Sequence, residues 1–296
     1  MPGRFHGSVA RPNRNADLDP KVDFVEMVRN LSLYDFPWDT LQALSFALFR
    51  TYAVPSIGRL LDETGAFRDA TQKRYDDTGI LLEMPLIHGF ESADGKGAIR
   101  RINQMHRAYD ISNEDFRYVL STFVVVPCRW IERYGWRQLT EAEILATVRY
   151  YQELARHMGI RDVPETYEGF AQLMDAYERD HFAFDEGSRR VADQTLELLT
   201  TFYPRLLRRS VDLFSRALMD ESLIEAFGLA EPGRRARWLA DTSLRLRGRF
   251  VRWLPPRRKP VYVHQLPRIK SYPGGFMISE LGTYPQAGRH ARAAAN

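Results

Sequence analysis

The stretch 96–130, KGAIRRINQMHRAYDISNEDFRYVLSTFVVVPCRW, constrains the fold more than any other part of the chain. At 3.6 residues per turn, Ile99, Ile102, His106 and Tyr109 share one side of a helix, while Arg100, Gln104 and Arg107 face water. His106 therefore points into the apolar interior. An imidazole there either hydrogen-bonds a buried carbonyl or ligates a metal through one ring nitrogen while the other fixes its orientation. The valine-rich run 118–126 that comes next has helices on both sides and no strand partner nearby, so it reads as a buried helix.

The same period recurs along the chain. Asp19-Pro20 reads as a cap and first turn for a helix through Val22, Val25, Val28 and Leu31, which the sequence DFPWD at 35–39 breaks. Residues 40–54 suit a helix buried on most sides, and Pro55 and Gly65 punctuate the chain beyond it. In a helix over 70–87, Arg74, Thr78, Leu81 and Pro85 lie on one stripe. Either Arg74 snorkels to the surface beside a threonine bonded to the preceding turn, or the two are the polar groups of a pocket. Ser112 can cap the helix after the turn at 110–113, and Thr140 with Glu143 forms a capping box that opens a helix over 141–158, ending near Gly159.

Phe170, Leu173, Met174, Tyr177, His181 and Phe184 then share a stripe, which makes His181 a second histidine expected to face the core. Helices at 188–203 and 205–227, with Leu206 and Leu213 among their apolar residues, complete about ten helices without a convincing strand, so the chain is expected to be all-α. No linker-like segment interrupts it. The reading is one large helical domain over 18–285, with disordered tails at 1–17 and 286–296.

With 44% hydrophobic residues and 12% aromatics, 296 residues can bury a sizeable core. The single cysteine, Cys128, excludes an intrachain disulfide and any multi-cysteine metal site and fits a reducing cytoplasm. No run of apolar residues is long enough to span a membrane, and the N-terminal segment lacks the apolar core of a signal peptide, so a cytoplasmic protein is expected. No G-x-S-x-G, H-E-x-x-H, phosphate loop or G-x-G-x-x-G occurs, which removes the main sequence support for common hydrolase, zinc and nucleotide-binding classes. A cofactor held by a single protein ligand, haem, remains compatible with one inward histidine.

Residues 234–259 contain ten Lys or Arg and one acid, Asp241. Leu239, Leu246, Phe250 and Trp253 line up on one helical side. This is either a solvated basic face over a packed stripe or a surface over 234–254 that touches anionic lipid headgroups as a peripheral membrane contact. Nucleic acid is disfavoured, because the aromatics are not displayed along the basic face.

Five segments in order, KRYDDTGILL (73–82), HGFES (88–92), RINQMHRAYDIS (101–112), FVVVPCRWIERYGWRQLT (123–140) and YERDHF (177–182), resemble the family of MpaB-type oxygenases and rubber oxygenases. The likeness spans roughly residues 40–205 and extends more weakly beyond. It implies a globin-like helical core around haem b, with His106, in the position of the family's Met-His helix, as the proximal iron ligand. His181 is the rival ligand, and Arg101 joins both as a cofactor-binding candidate. The family's distal Arg-x-x-Lys-Thr pattern maps to Arg74, Asp77 and Thr78, which become the catalytic candidates; Asp77 stands where the family carries lysine. A carboxylate can act as a base or proton carrier, whereas a charged lysine only donates.

The expected activity is thus a haem b-dependent oxygenase that uses molecular oxygen to cleave or oxygenate a carbon–carbon double bond of a lipophilic, isoprenoid-like substrate. A non-catalytic helical protein that binds lipid or a membrane surface is the alternative from a different class. A haem protein with peroxidase-like activity stands between them.

Overall fold

The computed structural model describes residues 13–283. Among them are twelve α-helices and no strand, so the chain is all-α as its periodicity implies. The helices are α1 (Phe24–Asn30), α2 (Pro37–Tyr52), α3 (Pro55–Glu63), α4 (Ala66–His88), α5 (Ala93–His106) and α6 (Asn113–Tyr134). They continue with α7 (Glu141–Met158), α8 (Tyr167–His181), α9 (Glu186–Thr201), α10 (Arg208–Ala217), α11 (Glu221–Ala226) and α12 (Arg234–Trp253).

The valine-rich run lies inside α6, the most buried helix, which packs against α2, α7, α8 and α12. Thirteen of its side chains are buried, on nearly every side, which explains a run without amphipathic period. Tyr118, Val124 and Val125 of α6 join Phe170 and Met174 of α8 and Val148 and Leu154 of α7 in the main core. A second core lies where α2 and α9 meet α11, around Phe49, Val191 and Phe227. A third gathers Ile80, Leu81 and Met84 of α4 with Ala98 and Ile102 of α5 and Leu281.

Local signals set the helix ends. Thr140 accepts from the Glu143 amide at 3.2 Å while the Glu143 carboxylate accepts from the Thr140 amide at 2.9 Å, which opens α7, and Gly159 at φ 72° closes it. Ser112 caps α6 through the Asp115 amide at 2.9 Å. Gly65, at φ 70°, precedes α4.

Four expectations need correction. Asp19-Pro20 does not open α1: the Asp19 carboxylate accepts from the Lys21 amide at 2.9 Å in a turn, the helix starts at Phe24, and Val22 is exposed. Residues 205–227 are not one helix. The chain breaks after Leu218, and Asp220 caps α11 by accepting from the Leu223 amide at 3.0 Å. Leu206 and Leu213 are exposed rather than core. The tail reading fails where it is described: Asn15 is buried and its amide donates to the Met27 carbonyl at 3.2 Å and to Glu143 at 3.1 Å. The remainder of both tails, 1–12 and 284–296, lies outside the described residues.

After α12 the chain runs back without regular structure, apart from short turns at Val263–Gln265 and Ile278–Glu280. This strap, residues 260–283, is fastened to α4 by three buried carboxylates. Glu83 accepts from the amides of Val263 and His264 and from the His264 ring, the last at 2.7 Å. Asp76 accepts from the amides of Lys270 and Ser271, both at 3.0 Å, and from the Ser271 hydroxyl at 2.7 Å. Asp77 accepts from the Tyr272 hydroxyl. A chain segment without internal ladders must find partners for its backbone amides elsewhere, and here the acids on α4 provide them.

Candidate functional site

One cavity of about 290 Å³ lies between α2, α4, α5, α6 and α9. Its wall is mostly apolar, with Leu81, Ile102, Met105, Phe116, Leu120 and Phe123 among the lining residues. Helix α4 brings Arg74, Asp77 and Thr78 to it, and α5 brings His106 at its last residue. Tyr109, expected on the same helix, lies instead in the turn after α5 but still lines the cavity.

His106 is the most informative of these. Its Nδ1 is buried without a hydrogen-bond partner, so it is not the satisfied core histidine that the sequence left open. Burial, and secondarily the nearby Arg74 guanidinium, push its pKa down to about 4. The imidazole is therefore neutral at pH 7, the state in which a ring nitrogen offers a lone pair. The ring stands edge-on to Phe116, with centroids 5.2 Å apart. A neutral imidazole with an orphaned nitrogen, on the wall of an apolar cavity, is a donor that could hold the iron of a haem-like group.

Arg74 and Thr78 form a local pair. The guanidinium donates to the Thr78 hydroxyl, which itself donates to the Arg74 carbonyl at 2.9 Å. Both residues line the cavity, and Thr78 also bonds the preceding turn, so features of both readings the sequence allowed are present. Asp77 is buried and held from two sides, by Lys73 Nζ at 2.7 Å and by the Tyr272 hydroxyl. The lysine thus precedes Arg74 in the sequence and neutralises the carboxylate.

Two of the cofactor-binding candidates lie elsewhere. His181 is exposed, against the expectation that it faces the core. It is the last residue of α8, stacked on Tyr177 with centroids 3.9 Å apart and its Nδ1 3.0 Å from the Tyr177 carbonyl, and it does not line the cavity. Arg101 is buried but one layer outside the cavity. It donates to the Leu281 carbonyl at 2.7 Å and the Thr283 carbonyl at 2.9 Å, and so holds the strap.

The strap supplies a wall that sequence reasoning missed. Gly282 and Thr283 line the cavity, and Lys73 donates to the Gly282 carbonyl at 3.1 Å. Gly282 has φ 82° and a Cβ there would lie 2.1 Å from Met105 Sδ, so only glycine lets the strap lie on the Met-His helix. Tyr75 was also missed. It lines the cavity with its hydroxyl buried and unpartnered. Its place beside Arg74 was the available signal, but a one-residue step turns a helical side chain by about 100° and argued against a shared face.

A group of carboxylates and a histidine at Glu91, Glu153 and His157 has ligand-like spacing, but none of the three lines the cavity. Lys96 lies 2.7 Å from Glu91 and Arg156 2.6 Å from Glu153, so cations of the chain already neutralise the acids. Cys128 is buried, off the cavity wall, and burial pushes its thiol up to about 12.

Comparison with known proteins gives the family. Residues 38–253 match the family model described as ER-bound oxygenase mpaB/B'/rubber oxygenase, catalytic domain. Among curated relatives, ER-bound oxygenase mpaB' of Penicillium brevicompactum is 29% identical over 248 residues, covering 78% of this chain and 59% of that protein. ER-bound oxygenase mpaB of the same organism is 30% identical over 189 residues, covering 58% and 48%, and mpaB of Penicillium roqueforti is 29% identical over 210 residues, covering 65% and 70%. The chain thus spans about half to three-fifths of the length of the first two relatives. The matched span contains His106, Arg74, Asp77 and Thr78 and ends at α12, before the strap. With well over half of its length matched, the chain belongs to the family of the mpaB oxygenases and rubber oxygenases, through their catalytic domain.

Proposed function

We propose that the chain is a haem b-dependent oxygenase that acts with dioxygen on a carbon–carbon double bond of a lipophilic substrate. The observation that carries this reading is His106: a neutral, buried imidazole with an unpartnered Nδ1 on the wall of an apolar cavity that also holds Arg74 and Thr78. The family provides the reaction class. When bound, haem supplies the redox-active iron that makes dioxygen reactive. An alkene and one dioxygen balance to two carbonyl products.

The chain's own residues have separate tasks in this reading. His106 holds the iron. Arg74 donates hydrogen bonds to polar groups brought into the cavity, and Thr78, whose hydroxyl proton goes to the Arg74 carbonyl, accepts from the guanidinium and positions it. Asp77, paired with Lys73 and engaged by Tyr272, holds the strap against α4. Leu81, Ile102 and Phe123 exclude water and favour an apolar chain. The cavity is at the lower end of ligand-sized pockets. A globin-like arrangement around the haem is part of the reading. So is contact with a membrane, where an apolar substrate resides and with which the relatives' names associate them.

The test is direct. Protein expressed with haem supplementation should show a Soret band, which His106→Ala should lose at unchanged far-ultraviolet circular dichroism, while His181→Ala should keep it. A colourless wild type after supplementation, or a His106→Ala protein with an unaltered spectrum, would overturn the assignment. Mass-spectrometric screening of prenylated and unsaturated lipids for oxygen-dependent cleavage would then define the substrate.

A further inference from the structure

Helix α12 is turned with its apolar stripe away from the protein. Its buried residues are Ala240, Leu244 and Gly248, and Gly248 meets the Tyr134 carbonyl so closely that a Cβ would lie 2.4 Å from it. At about 100° per residue, Trp238, Leu239, Leu246, Phe250 and Trp253 fall within an arc of roughly 120° centred opposite that buried line. All five are exposed, Trp238 and Phe250 at 65% and Trp253 at 77%. The expected packed stripe is therefore absent. What packs is the narrow small-residue line, and the large apolar side chains face solvent. The adjoining turn before α10, a helix in contact with α12, adds Leu206 at 96% exposure.

The charges around this face are of one sign and unneutralised. Arg234, Arg235, Arg249 and Arg252 are exposed on α12 and make no ion pair among the described residues, and the same holds for Arg205, Arg208 and Arg209 near Leu206. The one acid of the helix, Asp241, is already held by Arg133 at 2.6 Å and Arg245 at 2.8 Å. A second copy of this chain docked symmetrically through this face would bring arginines onto arginines, which like-charge repulsion opposes. An anionic partner relieves that repulsion. Tryptophan and phenylalanine beside unpaired arginines are the composition of a helix lying in a headgroup layer, with the aromatic rings at the boundary and the guanidinium groups on phosphate. No helix among the described residues is long and apolar enough to cross a membrane.

We propose that α12, with the turn before α10, is a docking surface for anionic lipid membranes. The helix lies flat, with Trp238, Leu246, Phe250 and Trp253 inserted and Arg234, Arg235, Arg249 and Arg252 on the headgroups. The inference rests on this surface alone and does not require haem at His106.

The test uses the full chain sedimented with vesicles of phosphatidylcholine alone and of phosphatidylcholine with phosphatidylserine, at low and high salt. Wild type should bind the anionic vesicles, and high salt should weaken binding. Changing the four arginines to glutamate should weaken it by about a hundredfold or more, since each cation near such a surface contributes roughly fivefold. A second variant, W238Q/L246Q/F250Q/W253Q, should also lose binding while keeping its circular dichroism and haem content, because these side chains are solvent-exposed already. Failure of the oxygenase reading would appear in the Soret band, and failure of this one only in the vesicles. Negligible binding to both vesicles, binding unaffected by either variant, or a concentration-dependent dimer that the glutamine variant dissolves would overturn the proposal.

Discussion

Replacing Asp76 by alanine should release one stretch of the strap and leave the rest fastened. Asp76 is fully buried and its Oδ2 accepts from the amides of Lys270 and Ser271, each at 3.0 Å, and from the Ser271 hydroxyl. A hydrogen bond to a charged group contributes about 1.5–3 kcal/mol. Losing the two amide bonds therefore lowers the free energy of local opening by about 3–6 kcal/mol, because the freed amides find water only when the strap lifts. At about 1.4 kcal/mol per factor of ten, exchange of the Lys270 and Ser271 amides should accelerate by at least ~100-fold. The Val263 and His264 amides, held by Glu83, should change far less. Hydrogen–deuterium exchange read by mass spectrometry resolves the two sites, and Asp76→Asn, which keeps an acceptor oxygen, should give an intermediate rate. Global stability is the poorer readout, since removing a buried carboxylate also removes its desolvation penalty. Unchanged exchange at 270–271, or equal acceleration across the whole chain, would refute the view that this acid is a local latch on the cavity wall.

Three other perturbations have equally definite outcomes. His106 has a folded pKa near 4, below the 6.5 of an unfolded histidine, so the unfolded state binds the extra proton between these values. In haem-free protein its contribution is complete above about pH 6.5, and about 3 kcal/mol is lost as pH falls towards 4; urea unfolding of wild type and His106→Gln over that range should show the difference shrink by this amount. Asp77→Lys should shift the visible spectrum of haem-loaded protein, since it removes the pairs with Lys73 and Tyr272 and puts a cation on the cavity wall one turn from Lys73; coincident spectra at several pH values would show that position 77 does not reach the bound group. Glu178→Ala leaves Arg50, which pairs with it between α2 and α8, with Asp220 as its remaining carboxylate partner, and should cost about 1.5–3 kcal/mol by urea midpoint, with Glu178→Gln milder.

What could be read without the structure was what depends on near neighbours along the chain. The capping box at Thr140 and Glu143, the Ser112 cap and the Gly159 terminus are contacts within one helical turn, so residue identity and spacing carry them. The inward direction of His106 was legible for the same reason: the apolar residues of its own helix define the buried side. Its unpartnered Nδ1 was not, because the partner that is missing would have come from another element.

Periodicity states which side chains share a face, and tertiary packing alone decides whether anything covers that face. His181 sits on an apolar stripe yet is exposed at the last residue of α8, its ring stacked on Tyr177. The stripe of α12 is real, but the molecule buries the opposite side, where Ala240 and Gly248 permit a close approach to α6 that tryptophan would block. The strap has no period at all. Its place is set by bonds from Asp76 to residues 194 and 195 positions away, and Gly282 and Thr283 reach the cavity only because of such links. The sequence by itself determined the all-α class, the caps of α6 and α7 and the histidine aimed inward. The cavity's last wall, and the side that α12 shows to its surroundings, were decided by contacts between residues far apart in the chain, which local pattern does not encode.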